Sequence, residues 1–166
     1  MFLFNQYQDL LTEEDKKLLL AIRHFFIVAG LEMTRRYDKK QFTAQQVNLN
    51  CHIAARVVAH FFNVSVQDGW ILPKYHHSWC VTETKHIIDV LPIGAYSDPI
   101  LWVNNGTFDH FHKQYIPEPT EKTLVRVNGQ ETTSVVKLWV DCLLESDIAK
   151  EMPENHRKRM RQEFQN

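Results

Sequence analysis

No glycine- or serine-rich linker, internal repeat or low-complexity stretch interrupts the 166 residues. Those absences exclude repeat architectures and tethered multidomain arrangements, and a chain of this length is expected to fold as a single domain over residues 1–166. Neither sign of charge is in excess. The formal net charge is −1, so no global field draws the chain to nucleic acid or to an anionic membrane. The basic run Arg157-Lys158-Arg159, with Arg161, is diluted by Glu151, Glu154 and Glu163. It is expected to be a solvated helix face, not a nucleic-acid patch.

Long hydrophobic runs are also missing. The apolar stretch from Leu18 to Leu31 is interrupted by Arg23 and His24. It falls short of the roughly 20 residues that a span requires, so a buried helix is expected and no membrane partner. Met1-Phe2-Leu3-Phe4 lacks a basic start, and Asp9 and Glu13 to Asp15 follow soon after, unlike a secretory signal. Cysteine is scarce: Cys51, Cys80 and Cys142 are odd in number and far apart. That excludes a disulfide scaffold and favours a reducing compartment. A cytoplasmic protein is expected, with non-classical secretion left open. CxxC and HExxH motifs are absent.

The positive signals begin with helices. Thr12 ahead of Glu13, Glu14 and Asp15 has the form of a helix start, a hydroxyl cap with acids in the first turn. Leu18, Ile22, Phe25, Phe26 and Ala29 then fall on one stripe, predicting an N-terminal helix over about residues 12–36. Ile53, Ala54, Val57, Val58, Phe61 and Phe62 predict a second helix. Asn50 is a good N-cap for it and would place Cys51 in the first turn, while Thr43 with Gln46 offers a competing, earlier start.

After Phe62 the apolar period shortens to two. Val64, Val66 and Trp70-Ile71-Leu72 predict a strand with a turn or bulge at Asp68-Gly69. His76 to Thr82 and His86 to Leu91 predict two strands joined by Glu83-Thr84-Lys85, the second stopped by Pro92 and Gly94. Pro99 to Val103 predicts another strand before the turn Asn104-Asn105-Gly106, and Leu124 to Val127 a strand entering Asn128-Gly129. Further helices are expected over about residues 133–166. Helices, then a run of strands, then helices is the α+β pattern: helices packed against a mostly antiparallel sheet, with the core over about residues 43–128.

Within this frame the chain holds the parts of a thiol nucleophile. A cysteine attacks carbonyls as thiolate, and a helix N-terminus lowers its pKa because unpaired N–H groups favour negative charge there. An imidazole does the same and can protonate a leaving group. A carboxylate behind the imidazole fixes its tautomer. Cys51 at a helix start, His77 on a strand and Asp89 on the next strand supply these in order. Opposed side chains on adjacent antiparallel strands lie about 5 Å apart, so His77 and Asp89 are expected to meet. Asp89 is flanked by Ile87, Ile88, Val90 and Leu91, and a carboxylate buried there needs a partner. Trp79 should share a face with His77 and wall the site, and Cys80 should face away into the core.

Asn50-Cys51 before an apolar helix, then His77-Ser78-Trp79, then Ile87-Ile88-Asp89-Val90 with Pro92 after it, resembles the papain-like cysteine hydrolase superfamily, its transglutaminase-like core most of all. The resemblance spans roughly residues 45–94. It implies a papain-like or transglutaminase-like core with Cys51 as nucleophile, His77 as base and acid, and Asp89 as the orienting group. It also implies an oxyanion hole built on the Cys51 backbone N–H, with Gln45 at the papain-type spacing of six residues before the cysteine. Asn50 and Trp79 join Gln45 as residues around the oxyanion and substrate.

The expected function is therefore a cysteine-dependent acyl-transfer enzyme acting through an acyl-thioester. Protease, amidase, deamidase and transglutaminase chemistry share that first half, with a peptide, protein or small amide as substrate and no cofactor. Two other readings fit the same residues. One is a non-catalytic binding module that keeps the fold. The other is a histidine-based metal protein using His76-His77 or His110-x-His112 with Asp109. Adjacent histidines on a strand point to opposite faces, so His76 and His77 are not expected to share an ion.

Overall fold

The computed structural model describes residues 8–47, 49–71, 75–91, 99–104, 115–119, 126–127 and 130–146. A 3-10 turn at Gln8–Leu10 precedes α1 (Glu13–Asp38), α2 (Ala44–Val47) and α3 (Cys51–Phe61). Then come β1 (Ser65–Ile71), β2 (Tyr75–Val81), β3 (Ile87–Asp89), β4 (Ile100–Trp102) and β5 (Tyr115–Glu118). The short pair β6 (Arg126–Val127) and β7 (Gln130–Glu131) leads into α4 (Thr132–Glu145). The architecture is α+β. Three helices, α1, α3 and α4, pack against an open antiparallel sheet of order β4-β3-β2-β1-β5.

The helix α1 begins as its acids predict. The Thr12 hydroxyl accepts from the Asp15 N–H while the Asp15 carboxylate accepts from the Thr12 N–H, a reciprocal capping box. Leu19, Ile22, Phe25, Ala29 and Met33 make its buried stripe, and the helix runs two residues past the expected Arg36. Asp15 also accepts from the Thr84 hydroxyl at 2.8 Å and pairs with His86 at 3.6 Å. The start of α1 is thereby tied to the turn between β2 and β3. In that turn Lys85 adopts φ 65°, a left-handed conformation uncommon for a residue with a side chain, and its N–H donates to the Thr82 carbonyl at 3.0 Å.

Both candidate starts for the cysteine helix are used. Thr43 and Gln46 form their own reciprocal cap on α2. The Gln46 carbonyl then accepts from the Trp139 indole at 3.0 Å, which anchors the end of α2 to α4. The chain restarts at Asn50, whose side-chain oxygen accepts from the Ile53 N–H at 3.0 Å. The restart keeps Cys51 at a helix N-terminus. The apolar face of α3 (Ile53, Ala54, Val57, Val58, Phe61) packs in one core with α1, α4 and Cys80, Ile88 and Leu101 of the sheet.

Two strand expectations need correction. There is no turn or bulge at Asp68-Gly69: β1 runs unbroken and pairs residue for residue with β2. Asp68 is buried in an ion pair with Arg56. Gly69 is required by close approach, since a Cβ there would sit 2.0 Å from the Ile116 carbonyl oxygen and 2.8 Å from the Trp79 ring. The glycine and the acid that suggested a turn are here the packing and charge of a regular strand. β5 was not anticipated at all. Pro117 interrupts its pattern and confines it to the sheet edge, opposite Gly69. Residues 92–98, 105–114, 128–129 and 147–166 lie outside the described residues, so the expected stops at Pro92 and Gly94, the turns at Asn105-Gly106 and Asn128-Gly129, the pair His110 and His112, and the basic C-terminal helix do too. No helix among the described residues is long and apolar enough to cross a membrane.

Candidate active site

Strand parity sorts the site into two polar groups on opposite faces of β2. Ser78 and Cys80 point toward α3: the Cys80 thiol lies 3.4 Å from the Ala55 carbonyl and Ser78 contacts His52. His77 and Trp79 point the other way, where Trp79, Ile71, Ile87 and Tyr115 form a second, smaller core.

On that second face, Nε2 of His77 lies 2.9 Å from both carboxylate oxygens of Asp89. The two residues are diagonal rather than opposed. The last β2–β3 pair is Cys80 with Ile88, so the register carries Asp89 opposite Trp79 and leaves His77 two positions along. A diagonal neighbour remains within reach of a ring. Asp89 also accepts from the Tyr115 hydroxyl at 2.8 Å. Tyr115 packs edge-on against Trp79, whose ring stacks with His77 at 6.5 Å. His77 and Asp89 are both 0% exposed and Trp79 2%. Trp79 therefore backs the imidazole from inside the fold and presents no open wall to solvent.

Cys51 is half-buried in the first turn of α3 and interacts with two imidazoles, His52 and His77. Asp89 occupies Nε2 of His77, so Nδ1 is the nitrogen left for the sulfur. Nδ1 is buried with no partner of regular hydrogen-bond geometry, and its polar interaction with the sulfur shifts both groups. Burial alone would push the thiol up. The hydrogen-bonding and charge of His52 and His77 overcome it and leave Cys51 at about 6. Burial would likewise push His77 down, yet Asp89 and the facing sulfur raise it to about 9. Between those values the stable form is a thiolate beside an imidazolium. The other cysteines differ: burial pushes the Cys80 and Cys142 thiols up, so neither is primed as a nucleophile.

Asn50 has a double position. Its oxygen caps α3, while its side-chain nitrogen is buried with no hydrogen-bond partner. A buried N–H donor left unmet costs about 1–3 kcal/mol, and this one belongs to the residue before Cys51 at the helix end. Gln45 lies in α2, and its side chain is outside the described residues.

The face toward α3 holds residues that the sequence did not single out. His52 Nδ1 lies 2.6 Å from the Ser78 hydroxyl and 4.0 Å from Asp68. Ser78 donates to Asp68 in a short contact. Arg56 donates to Asp68 at 2.8 Å and to Ser78 at 3.3 Å. His52 and Arg56 are four residues apart on α3, a spacing that puts them on one face. That polar pair within the apolar run of α3 was the available signal. The described residues thus contain buried His–Asp pairs on both sides of a cysteine.

No protein-family model matches the chain, and no curated protein or solved structure is significantly similar to it.

Proposed function

We propose that the chain is a cysteine-dependent acyl-transfer enzyme of papain-like or transglutaminase-like type, with Cys51 as nucleophile, His77 as acid and base, and Asp89 as the orienting carboxylate. The observation that carries this reading is the bidentate His77–Asp89 contact, at 2.9 Å to each oxygen, held beside a cysteine in the first turn of a helix. A buried imidazole with a carboxylate on one nitrogen is stabilised as the cation. Its other nitrogen then serves the sulfur as counter-charge.

In this scheme the Cys51 thiolate attacks the carbonyl carbon of an amide or ester. The oxyanion forms near the Cys51 backbone N–H and the Asn50 side-chain N–H, which has no hydrogen-bond partner of its own. The His77 imidazolium gives its proton to the departing amine or alcohol as the C–N or C–O bond breaks. The product is an acyl-thioester on Cys51, resolved by water or by an amine. Asp89 keeps the ring oriented, with Tyr115 holding the carboxylate.

Iodoacetamide labelling followed by peptide mass mapping tests the reading. Cys51 is expected to react faster than Cys80 and Cys142, and His77→Ala to slow that reaction. Equal labelling of all three cysteines, unchanged in the His77 variant, would refute it. Complete burial of His77 favours a second reading, a non-catalytic module that keeps the constellation for stability. That reading expects Cys51→Ala to leave the biological effect intact.

A further inference from the structure

The face of the sheet toward α3 contributes a second imidazole to the same sulfur, and its hydrogen-bond chain has a direction. Ser78 has one hydroxyl proton, and it is committed to Asp68. Arg56 also donates to the Ser78 oxygen. The contact between His52 Nδ1 and the Ser78 oxygen, at 2.6 Å, therefore has only one source for its proton: His52 Nδ1 carries it and Ser78 accepts. Once Cys51 is acylated its negative charge is gone, and in the neutral ring this tautomer leaves Nε2 as a lone pair. With Nδ1 engaged by Ser78, Nε2 is the nitrogen available to Cys51.

The two histidines also differ in what stands behind them. Asp89 meets His77 directly and is otherwise met by the neutral Tyr115 hydroxyl, so its negative charge acts on the ring. Asp68 is offset by the Arg56 guanidinium at 2.8 Å and reaches His52 through Ser78. One ring faces its carboxylate directly; the other reaches a carboxylate already paired with a guanidinium.

We propose that His52 is the general base of the second half-reaction, taking a proton from the water that resolves the acyl-thioester. This rests on the acyl-transfer reading above. The water oxygen bonds to the acyl carbon as one of its protons passes to His52 Nε2. The tetrahedral adduct then collapses, the C–S bond breaks and its electron pair returns to Cys51 as thiolate. The carboxylic acid leaves and ionises, and His52 releases its extra proton to solvent. His77, having protonated the first leaving group, is reprotonated from water to restore the ion pair.

The test uses p-nitrophenyl acetate with the full chain, reading the p-nitrophenol burst, the steady-state rate and the acetyl adduct on Cys51 by intact mass. In His52→Gln the burst amplitude is expected to persist, the steady-state rate to fall roughly 100-fold or more, and the acetyl adduct to accumulate. Hydroxylamine, which attacks thioesters without a base, should restore turnover. His52→Asn, which keeps an amide donor near Ser78, should behave alike and covers the case in which the glutamine variant fails to fold. Burst and turnover falling together in the folded variants, or neither changing, overturns the proposal. Absence of any Cys51-bound acetyl group in the wild-type chain and in the His52 variants alike would instead remove the acyl-thioester reading itself, and this inference with it.

Discussion

His77 meets both oxygens of Asp89 at equal distance, 2.9 Å, with a single ring nitrogen. One N–H shared between two carboxylate oxygens ties the ring to the charge of the whole group, and Tyr115 fixes that carboxylate from the far side. In Asp89→Asn the charge that sustains the imidazolium disappears while the volume is kept. Iodoacetamide alkylation of Cys51 at pH 7 should slow at least tenfold, and turnover of an activated ester should fall by roughly 100-fold or more. Rates within twofold of wild type would show that Asp89 has no electrostatic part in the site.

The two displaced pKa values fix a pH profile. Below about 6 the Cys51 sulfur takes up a proton and the nucleophile is lost, so alkylation should rise as pH passes through about 6. Above about 9 His77 gives up its proton and no acid remains for the leaving group. Amide or ester turnover, as kcat/KM, should then fall. Alkylation by iodoacetamide needs no proton donor and should stay high across that upper limb. Rate measurements with the two reagents between pH 5 and 10 check both limbs, and a simple rise centred near an ordinary thiol pKa would contradict them.

Tyr115→Phe removes the hydroxyl that donates to Asp89 in a buried setting. The oxygen left behind loses a charge-assisted hydrogen bond, so urea unfolding should report a loss of about 1.5–3 kcal/mol. Ester turnover should decrease less than in Asp89→Asn, because the carboxylate keeps its charge.

Asn50→Ser separates the cap from the donor. Serine caps helices about as well as asparagine and sheds the unmet buried N–H, so thermal stability should hold or rise. The unpartnered side-chain N–H next to Cys51 is lost, however, and turnover should fall roughly 100-fold if it serves the oxyanion. Iodoacetamide alkylation, which forms no oxyanion, should be nearly unaffected.

Gly69→Ala tests the edge of the sheet. The added methyl meets the Ile116 carbonyl oxygen at 2.0 Å and the Trp79 ring at 2.8 Å, so β5 must separate from β1. A loss of about 2 kcal/mol or more is expected in urea unfolding. Since β5 carries Tyr115, Cys51 alkylation should slow as well.

Local chemistry made much of this architecture legible. The acids after Thr12, the apolar stripe of α3 and the Asn50 cap are short-range signals, and each element starts where they say. The elements that carry Cys51, His77 and Asp89 could be read because each is locally recognisable. What escaped was set by pairing. Tyr115 reaches Asp89 only because β5 returns to the far edge beside β1, and Pro117 hid that strand. Asp68 and Gly69 have the composition of a turn, and only the charge of Arg56 and the nearness of Ile116 make them strand residues. His52 follows Cys51 directly in the sequence, yet its meaning depends on Ser78, twenty-six residues later.

Strand β2 has no spare side. His77 and Ser78 are chain neighbours that serve opposite surfaces, one answering to Asp89 and the other to His52 and Asp68. A one-residue insertion or deletion between Tyr75 and Val81 would exchange the two surfaces along the length of the strand. It would hand a serine to the carboxylate and an imidazole to the arginine-bound acid. Length variation among descendants of this chain is thus expected to fall in its connecting segments, with the spacing inside β2 held fixed.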